Sequence, residues 1–201
     1  MRQETGSNNS KEQKAVSIQL RLGGHSFSAS ELEGVASEGI INLVVESDRV
    51  TLVPQAEFDI SHAKHYLEVC GKRPAKSECV VCSEAQNDIV AVMAVDSCAY
   101  DLTTTALGSR ARFTTPLLDA SHCDEVCTVA TVRGGVLYIR HYNGGLQYAE
   151  AMKVTCNDDT LYYILECRRA VAAPEQAPLY LHADKECAKL LKRYTRRVIC
   201  E

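Results

Sequence analysis

Residues 16–22 read VSIQLRL, apolar and polar in alternation, the pattern of a strand with one face buried. Gly23-Gly24 supplies a turn, and the alternation resumes in HSFSAS. Two further strands are predicted at 40–46 (IINLVVE) and 49–54 (RVTLVP), joined by a tight turn at Ser47-Asp48. Pro54 ends the second, because it has no N–H for a ladder. A helix is predicted over 60–70, with Asp59 as cap, Ile60, Ala63, Leu67 and Cys70 on one face and Gly71 at the stop. Strands follow at 78–83 and 88–95 around an Asn87-Asp88 turn. The run IVAVMAV is apolar throughout, which predicts burial on both faces. Asp96 or Ser97 then starts a helix to Leu107, Gly108 stops it, and 110–117 alternate again.

The second half is more regular. Strands are predicted at 126–132, 135–142 and 145–154, with hairpin turns at Arg133-Gly134 and Asn143-Gly144. Asp158 or Asp159 caps a helix to Val171, with Leu161, Ile164, Leu165, Arg168 and Val171-Ala172 on its face. PLYLHA at 178–183 is a strand. Asp184 caps a last helix bearing Cys187, Leu190, Leu191, Tyr194 and Val198 on one face. The order is β-β-β-α-β-α, and the first half gives a similar order, which suggests a duplicated α/β unit.

Composition narrows the function classes. The 201 residues are 46% hydrophobic and 24% charged with net charge −4, so a general nucleic-acid surface is disfavoured. No apolar run approaches the ~20 residues of a membrane span, and none follows the start as a secretory leader would. The chain is therefore expected in the cytoplasm, without membrane insertion, its 10 cysteines reduced and acting as small buried hydrophobes. Residues 1–14 have almost nothing to bury and are expected to be a disordered tail.

Val53-Pro54 with Phe58, Asp159 before Leu161-Tyr162-Tyr163, and Pro178-Leu179-Tyr180-Leu181-His182 carry a resemblance. Leu190-Leu191 with Tyr194 and Val198 complete it. In this wording, over residues 16–199 and most clearly 126–199, the chain resembles an uncharacterised bacterial family of about this length with an actin-like ATPase fold. The resemblance implies a mixed α/β architecture of two tandem ribonuclease H-like β-β-β-α-β-α units. The expected halves are 15–118 and 124–201, with the boundary in 118–125. It implies no activity, since fold does not fix function.

Actin-like ATPases cradle phosphate in two glycine-rich hairpins, each with an Asp for Mg²⁺, a hard ion that needs carboxylate oxygens. Here the turns read Arg21-Leu22-Gly23-Gly24-His25-Ser26 and Val132-Arg133-Gly134-Gly135-Val136. The glycines are present and the acids are not. Ser17 to Leu22 likewise lacks the first-strand acid of two-metal nucleases. Gly23, Gly24, Gly134 and Gly135, beside Arg21 or Arg133, remain candidates for anion binding, against the plainer reading of hairpin turns. Asp96 is the best-placed acid for a metal or base, against the plainer reading of a helix cap.

Other candidates are weaker. Cys79 and Cys82 form a CxxC pair, with His122, Cys123 and Cys127 as further zinc ligands, but a strand points the pair to opposite faces. His62 and His65 fit a solvated helix face, and His182 lies where such folds place ligands. Lys189, Lys192, Arg193, Arg196 and Arg197 make the last helix basic, a solvated face or a surface for an acidic partner or phosphates. There is no G-x-S-x-G elbow and no phosphate-loop motif. The expectation is a non-catalytic actin-like module, a pseudo-ATPase, that binds another protein and needs no cofactor. Actin-like relatives in pilus assembly, which act as cytoplasmic scaffolds, are the analogy. The rival is a degenerate nucleotide binder or weak ATPase that takes Mg-ATP between the halves. A third reading is nucleic-acid binding through the final helix.

Overall fold

The computed structural model describes residues 16–21, 39–119, 121 and 124–201. The expected tail over 1–14, the Gly23-Gly24 turn, His122 and Cys123 lie outside the described residues. The first half runs β1 (Val16–Arg21), β2 (Ile41–Glu46), β3 (Val50–Pro54), α1 (Ala63–Val69), β4 (Glu78–Cys82), β5 (Ile89–Asp96), α2 (Ser97–Leu107) and β6 (Ala111–Thr114). β1, β2 and β6 form a three-stranded parallel sheet, and β3-β5-β4 a three-stranded antiparallel one. The Ser47-Asp48 turn therefore carries the chain from one sheet into the other and closes no hairpin. Neither residue takes the positive φ that a two-residue hairpin turn needs. Instead the Arg49 N–H donates to Ser47 Oγ at 2.9 Å.

β5 is buried over Val90–Val95, as its apolar run predicts. Ala91, Met93 and Val95 enter one cluster, whereas Val92 and Ala94 join Leu67 of α1 and Val53 in another. Asn87 and Asp88 both take positive φ in the turn before it (49° and 60°). On α1 only Ala63 and Leu67 are buried. Ile60 and Cys70, expected on the same face, are exposed, because a short 3-10 turn precedes the helix and rotates Ile60 outward.

The second half contains β7 (Cys127–Arg133), β8 (Val136–Tyr142), β9 (Leu146–Lys153), α3 (Asn157–Ala170), β10 (Leu179–His182), α4 (Lys185–Leu191) and β11 (Val198–Cys200). Its sheet has the order β11-β10-β7-β8-β9, with β7, β10 and β11 parallel and the β7-β8-β9 meander antiparallel. Three local expectations need correction. The hairpins turn one residue later, at Gly134-Gly135 (φ 56° and 75°) and Gly144-Gly145 (φ 65° and 128°), where glycine makes positive φ cheap. Neither Asp158 nor Asp159 caps α3. Its cap position is Cys156, and Asp159 accepts from the Thr155 N–H at 2.8 Å from inside the first turn. The last helix ends at Leu191, so Val198 lies in the short β11, a strand the helical reading missed, and Tyr194 is exposed.

Every residue of β8 is buried. Leu137 and Ile139 face α3 and α4 with Ile164, Cys167 and Leu191. Val136 and Tyr138 face the other way, into a cluster with Ile41, Leu43, Val45 and Met93 of the first half. The Tyr138 hydroxyl donates to the Ser47 carbonyl at 3.3 Å, and burial raises its phenol well above the ordinary range. The main core is thus shared between the halves.

Tyr138→Ala should cost about 3–5 kcal/mol, as for other large aromatic truncations. Tyr138→Phe should cost about 1 kcal/mol, a fall of about 2–4 °C in Tm. Calorimetry on both variants should give one cooperative transition. Two resolved transitions, with only the later half affected, would show that the halves do not share this core.

Candidate functional site

The β7–β8 turn brings three of the expected residues into one cleft of about 730 Å³. Gly134 and Gly135 form one wall, and Asp96, at the end of β5, lies in the lining. The turn is strapped from behind, where the Val154 N–H donates to the Gly135 carbonyl at 2.9 Å. Asp96 is a helix cap, accepting from the Ala99 N–H at 3.1 Å at the head of α2. Gly23 and Gly24 lie outside the described residues.

Residues outside any expected site also line this cleft. Glu46 closes β2, Asp48 follows it, and Glu78 opens β4. Arg49 Nη1 is 2.7 Å from Glu78 Oε1, and Glu78 Oε2 accepts from the Ala75 N–H at 2.6 Å. Lys153 stands at the exposed rim. Glu46 is only 4% exposed. Its Oε2 lies 2.9 Å from where a Cβ on Gly134 would stand. The glycine turn that would have to approach a phosphate therefore has a carboxylate against it. No local motif announces this, because Glu46, Asp48, Glu78 and Asp96 come from separate elements. The available signal was that Glu46 and Asp96 each end an apolar strand.

The cleft lining carries four carboxylates, Glu46, Asp48, Glu78 and Asp96, against two cations, Arg49 and Lys153, a balance that disfavours an incoming phosphate. Among the described residues no group of three or more His, Cys, Asp or Glu side chains is placed to hold a metal ion. The Gly134-Gly135 turn and Asp96, expected around a phosphate, thus line one cleft together with three further carboxylates and two cations.

A second crevice opens at the carboxyl ends of β7 and β10, the side of a parallel sheet where ligands commonly bind. Arg133 and His182 line it from the second half, Val44, Thr114 and Thr115 from the first. Its volume is about 210 Å³, smaller than most ligand pockets. His182 Nε2 lies 3.0 Å from Glu201 Oε2. At its edge Asp119 meets Arg140, a fully buried guanidinium of β8 that donates to the Asp119 carbonyl. Burial pushes the Asp119 carboxyl up, but the Ser121 N–H and the Arg140 charge outweigh it and hold it below the ordinary carboxylate range.

The remaining candidates separate. Cys79 packs against the shared core and Cys82 against the α1 cluster, on opposite faces of β4. Burial raises both thiols, and it pushes Cys167 up to about 12 and Cys187 to about 11. Protonated, buried thiols are poor nucleophiles. His62 Nδ1 pairs with Asp59 at 3.3 Å on an exposed face. Of the basic set expected on one helix, only Lys189 is on α4. Lys192, Arg193, Arg196 and Arg197 follow in the turns beyond it, exposed. No helix among the described residues is long and apolar enough to cross a membrane.

Comparison with known proteins agrees with the architecture. Residues 27–198 match a family described as protein of unknown function (DUF3822), and the chain belongs to that family. A crystal structure from Bacteroides thetaiotaomicron, of a protein with actin-like ATPase fold and unknown function, is 18% identical with a TM-score of 0.73, covering 98% of this chain and 94% of that one. The chain therefore has the actin-like ATPase fold. The cytoplasmic domain of EpsL, an inner membrane component of the type II secretion system of Vibrio cholerae, is 10% identical with a TM-score of 0.46, covering 93% of this chain and 89% of that one. No curated protein matches the chain.

Gly134→Ala should destabilise by about 1–2 kcal/mol, because a side chain there meets both positive φ and Glu46. Glu46→Ala should recover only the steric share. A double-mutant cycle in urea should give a coupling on the order of 0.5–1 kcal/mol. Strict additivity would mean that Glu46 does not press on the turn.

Proposed function

We propose that this member of the family is a non-catalytic actin-like module, a pseudo-ATPase that binds another protein as part of an assembly. The observation that carries the reading is the buried Glu46 carboxylate beside Gly134. It stands against the turn that would have to approach a phosphate, and Asp48, Glu78 and Asp96 line the same cleft, outnumbering its cations Arg49 and Lys153. A nucleotide brings several negative charges of its own and needs cations or clustered backbone donors against them. Asp96, the acid best suited to a metal, is occupied as the cap of α2.

Thermal unfolding with and without millimolar Mg-ATP tests the reading directly. A ligand at a hundred times its dissociation constant stabilises by about 2.7 kcal/mol, a shift on the order of 5–10 °C for a chain of this size. The expected result is no shift beyond that of the magnesium salt alone. A shift of several degrees would overturn the non-catalytic reading in favour of a degenerate nucleotide binder, with Arg133 and His182 as the first residues to replace.

A further inference from the structure

We infer that the groove between the carboxyl end of α3 and the turns after α4 docks an acidic segment of a protein partner; this rests on the reading of the chain as a protein-binding module and names the surface it uses. The groove encloses about 490 Å³. Leu165 and Arg169 of α3 form one side, Ala173 and Glu175 the end, and Tyr194 and Arg196 the other side. Arg168 stiffens the base. Its buried guanidinium donates to the carbonyls of Pro174 and Ala177, both at 3.1 Å, and to Thr128 Oγ1 at 3.2 Å. The loop that ends the groove is thereby fixed to the sheet.

Two independent features point to an anionic occupant. The first is charge. Arg169 and Arg196 hold their guanidiniums in solvent, 79% and 70% exposed, paired among the described residues with the exposed carboxylates of Glu166 and Glu175. Such surface pairs are weak, so an incoming carboxylate can replace them. Lys192, Arg193 and Arg197, close in sequence to the groove residues Tyr194 and Arg196, are exposed. On a chain of net charge −4 this is a local cationic field that would steer an acidic partner. The second is Thr195. It is 7% exposed, it lines the groove, and its Oγ1 makes no hydrogen bond. A buried hydroxyl without a partner is costly; closed to solvent as it stands, it would turn toward a carboxylate in the groove and donate to it.

The rest of the surface fits a protein better than a nucleic acid. Tyr194 is 62% exposed and, with the half-buried Leu165, offers apolar contact beside the cations. Tyr and Arg are the residues that concentrate binding energy at protein interfaces. The partner segment is one whose carboxylate side chain meets Arg169, Arg196 and Thr195 while a neighbouring apolar side chain packs on Tyr194.

The full chain, labelled with ¹⁵N, would be titrated with a capped peptide alternating glutamate and leucine, with its glutamine counterpart, and with single-stranded oligothymidine. The expected result is saturable amide shifts concentrated at Leu165, Ala173 and Thr195–Arg196 with the glutamate peptide alone. Arg196→Glu and Tyr194→Ala, both on exposed side chains, should keep the wild-type Tm and weaken binding roughly tenfold. Equal binding by wild type and Arg196→Glu, scattered shifts, or no binding would overturn the groove. So would tighter binding of oligothymidine lost in the same variants, which would mark a phosphate surface. Failure here without an Mg-ATP thermal shift removes the groove alone. An Mg-ATP shift removes the reading beneath it, whatever the peptide does.

Discussion

A strand buried on both faces needs two apolar surfaces at once, and β8 obtains them from different parts of the chain. One face packs on α3 and α4, which follow it in sequence, and the other on β2 and β5, which precede it. Fully burying each large apolar side chain is worth about 1.5–3 kcal/mol, so β8 concentrates much of the favourable term in one element. The same placement forces a charge inside. Arg140 shares the face of Val136 and Tyr138; its guanidinium donates to the Asp119 carbonyl, with the Asp119 carboxylate at 3.7 Å, while its buried Nε has no hydrogen-bond partner among the described residues. The Tyr142 hydroxyl donates to that same carbonyl at 3.2 Å. The segment between the halves is therefore tied to the strand that unites them.

Much of this architecture was legible from periodicity. The β7-β8-β9 meander follows from alternation punctuated by glycine pairs, and the burial of β5 follows from an unbroken apolar run. Asn87-Asp88, Asp59, Asp96 and Asp184 act where short polar side chains ordinarily act, in turns and caps. What was not legible depended on partners distant in sequence. Ser47-Asp48 looks like a hairpin locally, but β2 finds its neighbours in β1 and β6. Val198 continues a helical spacing from Leu191, yet pairing with Leu179 on β10 makes it a strand residue.

The site shows the same division. Gly134, Gly135 and Asp96 were identifiable because each belongs to a local pattern, and the fold does place them around one cleft. Glu46, Asp48 and Glu78 lie at the ends or turns of separate elements, so no local pattern joins them, and the cleft they line exists only when the fold assembles them. A motif search weighs the residues a chemistry requires. It does not register a carboxylate arriving from another sheet, and here that arrival puts a buried acid against the glycine turn. The cationic groove is the converse case. Its arginines were visible as a charge run, but splitting the run between a short helix and the turns after it brings Arg196 beside Glu175 and Arg169 into the same groove.

The two-sided burial of β8 also has a consequence in time. Synthesis delivers the first half before the second, at roughly 5–20 residues per second. Ile41, Leu43, Val45 and Met93 therefore leave the ribosome before Tyr138 exists to cover them. The hydroxyl bond from Tyr138 to Ser47 spans 91 positions of sequence, and contacts of such separation form late because the intervening chain must first be ordered. During that interval the nascent first half carries an open apolar surface, the kind of surface that chaperones hold and that aggregation exploits. The arrangement that gives the finished molecule a shared core makes its unfinished form the vulnerable one.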